Sequence, residues 1–278
     1  MMAYFASIIF LVFVLIFSSC RAQVKFDKNY KQTWGEDHLT VTDGGNGVSL
    51  MLNEQHGGAG FISLSDFGSG FFEIEMKIPN KNTNGVITSF YLQEVAFGKP
   101  VEGVNHFEFD IEFYGRNFST NVFAKDQGHR EQLFHLWFDP TAGFHKYQIL
   151  WNQHQIAWFV DGEAVRIWKN LQHRGVAFPS QPLHVEASIW NATFAGGNVD
   201  WSQAPFTAFY KDFAMNACVY QGSNPKECYS EKYYWNQKQY WTLTPAQQAQ
   251  LTNHRKNHMY FDYCSDSSKA GPECKFNQ

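Results

Sequence analysis

The ten residues His106-Phe107-Glu108-Phe109-Asp110-Ile111-Glu112-Phe113-Tyr114-Gly115 carry a carboxylate at every second position from 108 to 112. Successive side chains of a strand point to opposite faces, so Glu108, Asp110 and Glu112 share one face while Phe107, Phe109, Ile111 and Phe113 share the other. Acids crowded on one surface raise one another's pKa, the condition under which one carboxyl keeps its proton while another stays ionised. Such a pair can run a double displacement at a glycosidic carbon when the carboxyl groups stand about 5–5.5 Å apart. At about 3.3 Å per residue the α-carbons of Glu108 and Glu112 are roughly 13 Å apart, so the chemistry requires a bowed sheet whose side chains lean together. The same spacing also describes the solvated face of an outer strand. A Ca²⁺ site fits it less well, because strand-spaced acids do not wrap an ion as a loop does.

The elements that must position these acids are short strands. Residues 72–78 (FEIEMKI) alternate apolar and charged side chains strictly, which fits a half-buried strand. Similar runs span 86–92, 146–151, 156–160 and 206–213, and Asp161-Gly162 reads as a hairpin turn. Many strands with turn signals over residues 23–213 predict one all-β sandwich. After residue 214 the alternation fades, and Thr244-Pro245 before AQQAQL reads as the cap and first turn of one helix.

The 278 residues hold 22 Lys+Arg against 26 Asp+Glu, a net charge of −4, which excludes the basic surface of a phosphate-backbone binder. Aromatic residues make up 18%, and flat rings suit stacking against sugars, so the balance favours saccharides over nucleic acid. Residues 1–22 read as a signal peptide: an uncharged run from 5 to 17 precedes Cys20-Arg21-Ala22, too short for a permanent membrane anchor. Cleavage leaves Cys218, Cys228, Cys264 and Cys274, an even number suited to an oxidising compartment. Three pairings are open, and the short spacings favour Cys218 with Cys228 and Cys264 with Cys274. Asn117-Phe118-Ser119 and Asn191-Ala192-Thr193 are glycosylation sequons. His56, His106, His129, His135, His145, His154 and His184 have no ligand spacing, so neither a metal nor a cofactor is expected.

Glu-x-Asp-x-Glu-Phe-x-Gly on a strand resembles the catalytic signature of family 16 glycoside hydrolases, and the surrounding chain is similar to plant xyloglucan endotransglucosylase/hydrolases. FDKNYKQTW at 26–34, GVITSFYL at 85–92, LWFDPT at 136–141, SIWNA at 188–192 and DWSQAPFT at 200–207 carry the resemblance, as do the four late cysteines. It implies a concanavalin-like jelly roll with a concave cleft over residues 23–213 and a disulfide-stapled extension over 214–278. It further implies Glu108 as nucleophile, Glu112 as acid/base and Asp110 as the helper between them. Asn121, Arg130, Glu131, Trp190 and Gly197 match positions lining the glucan cleft. The implied protein is a secreted, apoplastic, monomeric retaining endotransglycosylase. It takes a polysaccharide donor and an oligosaccharide or polysaccharide acceptor, with no nucleic acid and no membrane. An endo-β-glucanase and a non-catalytic lectin-like wall binder are the alternatives. Phe107 stands where the family usually has Asp, only four residues separate Gly115 from Thr120, residues 190–200 are short, and Lys269 lies near an expected arginine. Mixed-linkage glucan and cellulose therefore stay open beside xyloglucan.

Overall fold

The computed structural model describes residues 24–94, 106–125, 127–222 and 225–277; the signal-peptide reading of residues 1–22 lies outside them. The strands come in chain order as β1 (Tyr30–Trp34), β2 (Leu39–Thr42), β3 (Gly47–Leu52), β4 (Ala59–Ser63), β5 (Phe67–Lys77), β6 (Val86–Gln93), β7 (Phe107–Tyr114) and β8 (Asn117–Ala124). Then follow β9 (Gln132–Phe134), β10 (His145–Trp151), β11 (Gln155–Val160), β12 (Glu163–Lys169), β13 (His184–Asn191), β14 (Phe206–Lys211), β15 (Asn216–Val219) and β16 (Met259–Asp262). One sheet has the order β1-β4-β13-β6-β7-β8-β9-β16; the other runs β12-β11-β10-β5-β14-β3-β2, with β15 also paired to β5. This is the expected antiparallel sandwich.

Its core lies between the sheets and is built from aromatic side chains. Phe109 meets Trp151 and Trp158 edge-on at 5.6 and 6.4 Å, and Phe113 meets Tyr147 at 5.5 Å. These two phenylalanines, fully buried, anchor the apolar face of β7 and thereby aim its acids outward. Truncating either to Ala would cost about 3–5 kcal/mol. Beneath the acids, the Trp158 indole N–H donates to the Asp110 backbone carbonyl at 2.9 Å, pinning the middle of β7 to the opposite sheet.

Turns set the register. Asp161 and Gly162 both take positive φ (50° and 82°) between β11 and β12, the geometry of a two-residue hairpin. Gly115 (φ 64°) opens the turn from β7 into β8, where Tyr114 pairs with Asn117, so the short spacing after the motif makes a tight hairpin.

The C-terminal residues do more than lie on the sandwich: β15 joins one sheet through β5 and β16 joins the edge of the other through β9. These strands escape a reading by alternation because each is only four residues long. Helix α1 is a single turn (Phe26–Asn29), and α2 (Pro245–Asn257) begins with the Thr244/Gln247 capping box. α2 packs on β12. The disulfides pair Cys218 with Cys228 and Cys264 with Cys274. A second apolar cluster joins Leu150, Phe159 and Ile167 of the outer sheet face to Trp235 and Leu251. β11 is consequently buried on both faces, and its sequence is nearly continuously apolar.

Candidate active site

The face of β7 opposite the core looks into a cleft of about 670 Å³. Glu108 and Glu112 both line it, and Asp110 lies between them, 1% exposed. Pairing on either side sets the neighbours in rows: Ser89, Glu112 and Ser119; Tyr91, Asp110 and Asn121; Gln93, Glu108 and Phe123. Small serines beside Glu112 leave room in front of it, and the Ser89 and Ser188 hydroxyls satisfy each other at 2.7 Å.

The three acids have different surroundings. Glu108 Oε2 lies 3.1 Å from Nε2 of His106, which reaches it from two residues earlier on the chain. Asp110 Oδ1 accepts the Asn121 backbone N–H at 2.6 Å, whereas its Oδ2 is buried with no hydrogen-bond partner among the described residues. Burial, then the charges of Glu112 and Glu108, push Asp110 well above the usual carboxylate range, against the opposing influence of Arg166 and the Asn121 hydrogen bond. Burial and then Glu108 push Glu112 up to about 8, against a hydrogen bond from Tyr114. Both shifts favour the protonated form, and for Glu112 the proton is held through neutral pH. A carboxyl that is protonated at neutral pH and faces open space can donate to a leaving group.

The binding residues expected from sequence fall into two sets. Asn121, Glu131 and Trp190 line the cleft. Asn121 is held firmly, its side-chain oxygen accepting from the Val122 and Arg130 backbone N–H groups. Arg130 is placed elsewhere: its Nε donates to Glu273 at 3.1 Å, another guanidinium nitrogen donates to the Gln127 carbonyl, and the group lies over the Trp168 ring at 5.5 Å. It ties the cleft strands to the C-terminal extension. Gly197 also lies away from the cleft lining, in the loop after β13, where a Cβ added to Gly85 would come within 2.5 Å of the Gly197 carbonyl oxygen. That close approach seats the loop. Asn117 is half-buried at the start of β8, and Asn191 is exposed at the end of β13.

Several cleft residues were passed over in the sequence. Tyr91 and Gln93 of β6 both donate to the buried carboxylate of Glu186 on β13, at 3.2 and 2.8 Å. The alternating polar side chains Ser89, Tyr91 and Gln93 of β6 were the available signal. Phe194 is 66% exposed at the cleft rim, and Phe261 and Lys269 bring the extension into the cleft wall. No local pattern in the sequence marks these last three, because their placement depends on how the extension and a loop dock.

The description "Glycosyl hydrolases family 16" matches residues 26–210, and "Xyloglucan endo-transglycosylase (XET) C-terminus" matches residues 229–274. The chain belongs to glycoside hydrolase family 16. Xyloglucan endotransglucosylase/hydrolase protein 2 of Arabidopsis thaliana is 39% identical, the match covering 98% of this chain and 96% of that protein. Protein 3 of the same plant is 40% identical over 88% of this chain and 86% of its own. Among solved structures, the Bacillus licheniformis β-glucanase superposes with a TM-score of 0.57 at 22% identity, covering 69% of this chain and 92% of its own. The Crh5 transglycosylase gives 0.55 at 24%, covering 70% and 83%. These two establish the shared sandwich. As a member of the xyloglucan endotransglucosylase/hydrolase group, the protein is an enzyme of glycosyl transfer and hydrolysis.

Proposed function

We propose that this enzyme is a secreted, retaining β-glucan endotransglycosylase that cuts and rejoins xyloglucan in the plant cell wall. The observation that carries the reading is the cleft-facing row of β7, in which Glu112 holds its proton up to about 8 beside Glu108. Glu108 attacks the anomeric carbon, and the C–O bond breaks as Glu112 gives its proton to the departing oxygen. An incoming sugar hydroxyl then attacks the glycosyl-enzyme, loses its proton to Glu112 and returns Glu108 to its carboxylate form. Asp110, buried between them, couples to both acids and fixes the charge the row can hold. Phe123, Leu133, Trp190, Phe194 and Phe261 give the cleft wide apolar walls. Such walls bury sugar faces and exclude water, which favours a sugar acceptor over hydrolysis.

The names of the Arabidopsis relatives support xyloglucan as donor, with an oligosaccharide or polysaccharide as acceptor. The two disulfides suit an oxidising compartment, in keeping with a cleaved leader at residues 1–22 and delivery to the apoplast. Exposed Asn191 is the better placed of the two glycosylation candidates. A second reading, an endo-β-glucanase, follows if water rather than a sugar hydroxyl takes the open space in front of Glu112, where the small Ser89 and Ser119 flank it.

The test is transfer of a labelled xyloglucan oligosaccharide onto polymer. Glu108→Ala is expected to abolish it, and retained transfer would reject Glu108 as nucleophile. Labelled product without new reducing ends marks transfer, because the acceptor takes the cut anomeric carbon; new reducing ends without labelled product mark hydrolysis.

A further inference from the structure

Tyr114 fills the variable position of the Glu-x-Asp-x-Glu-Phe-x-Gly signature, two residues beyond Glu112 and on the same face of β7. Its hydroxyl donates to Glu112 Oε2 at 2.8 Å. The ring is fixed from both ends. Gly115 turns the backbone immediately after it, and Phe194 packs edge-on against it at 5.6 Å while leaning on Trp190 at 6.0 Å.

A neutral carboxyl has one oxygen that carries the proton and one that accepts. A phenol donating to Oε2 keeps that oxygen in the accepting role, which leaves Oε1 to bear the transferable proton. We propose that Tyr114 is a positioning residue for Glu112: it orients the carboxyl and directs its proton to Oε1, the oxygen left for the glycosidic bond. This rests on the reading of Glu112 as the acid/base. In the first half-reaction the proton leaves Oε1 as the C–O electron pair passes to the departing sugar oxygen, and the tyrosine bond then stabilises the new carboxylate. In the second half-reaction the acceptor hydroxyl returns a proton to Glu112, its oxygen bonds to the anomeric carbon, and the Glu108–carbon bond breaks back to carboxylate.

The groups that face Glu112 come from several elements. Glu108 and Asp110 stand on its own strand, Tyr91 on β6 with Glu186 of β13 behind it, and Ser119 and Asn121 on β8. His129 and Glu131 come from the segment before β9, and Lys269 from the extension. Among these, Glu108 and Glu131 push its proton affinity up, and the Tyr114 hydrogen bond opposes them.

The experiment measures pH profiles of kcat and KM for labelled transfer in Tyr114→Phe, which keeps the ring against Phe194, and in Tyr114→Leu, which loses ring and hydroxyl. Both are expected to lose about tenfold or more in kcat with donor KM little changed. Their basic limb should move to higher pH, because the acid keeps its proton longer without the phenol. The burst of phenolate released from an aryl glycoside, whose departure in the first half-reaction needs no proton, should be almost as fast as in the wild type. An unshifted basic limb, or a phenolate burst slowed as much as transfer from xyloglucan, would overturn the proposal. Azide added to Glu112→Ala tests the underlying reading separately. Rescue as a β-glycosyl azide supports Glu112 as acid/base, and its absence removes that assignment and the Tyr114 proposal with it.

Discussion

Asn152 and Asp110 are both buried polar side chains of similar shape, and the protein treats them oppositely. Asn152, beneath the C-terminal extension, is fully satisfied. Its amide donates to the Trp235 and Tyr240 carbonyls at 2.8 and 3.0 Å, and its oxygen accepts from the His154 and Gln155 backbone N–H groups at 2.8 and 3.1 Å. Asp110, on the cleft sheet, has one oxygen bonded and one without a partner among the described residues, with two further carboxyl groups beside it. Four satisfied bonds rigidify a junction, whereas a half-satisfied carboxyl crowded beside two others is a liability unless a substrate uses it. The difference separates the structural polar groups of this molecule from the chemical ones.

Substituting each residue tests that division. Asp110→Asn is expected to lower kcat by on the order of 10²-fold, because the coupling that sets the neighbouring acids is lost, while the urea midpoint stays at or above that of the wild type. A large loss of stability with kcat preserved would invert the comparison. Asn152→Ala should do the reverse. The Tyr240 carbonyl keeps the Gln155 side chain as donor, but leaving the Trp235 carbonyl and two N–H groups without the Asn152 side chain costs at least about 1–3 kcal/mol in denaturant unfolding, with kcat per folded molecule unchanged.

Stability should also depend on pH. An unfolded Glu releases its proton near its ordinary value of 4.5, whereas Glu112 in the folded chain holds it to about 8. Across that window the folded state binds the extra proton, so stability falls as pH rises. Glu112→Gln cannot titrate there, and its melting temperature should gain on the wild type steadily between pH 5 and pH 8. A constant difference between the two would place Glu112 outside the coupled row.

Much of the site was legible because period-2 alternation is local: the three acids and the four apolar residues of β7 sort to opposite faces from spacing alone. The Asp161-Gly162 turn and the Thr244 cap were legible for the same reason, since each is written in two to four adjacent residues. Arg130 and Gly197 went to other places because matching a family position fixes where a backbone runs and leaves the side chain's partner undecided. Glu273, the partner of Arg130, is 143 residues away. Lys269 and Phe261 entered the cleft through β16, whose pairing with β9 joins segments separated by more than a hundred residues. Such long-range docking leaves no periodic trace in the sequence.

The central claim, that Glu108 forms a bond to the sugar while Glu112 manages the proton, is tested most directly by acid-quenching the enzyme with xyloglucan donor and reading its intact mass. The account predicts a mass increase equal to a donor fragment, located on the peptide containing residues 106–115 at Glu108 and absent from Glu108→Ala. An adduct that persists in Glu108→Ala, or that maps to another residue, would contradict it.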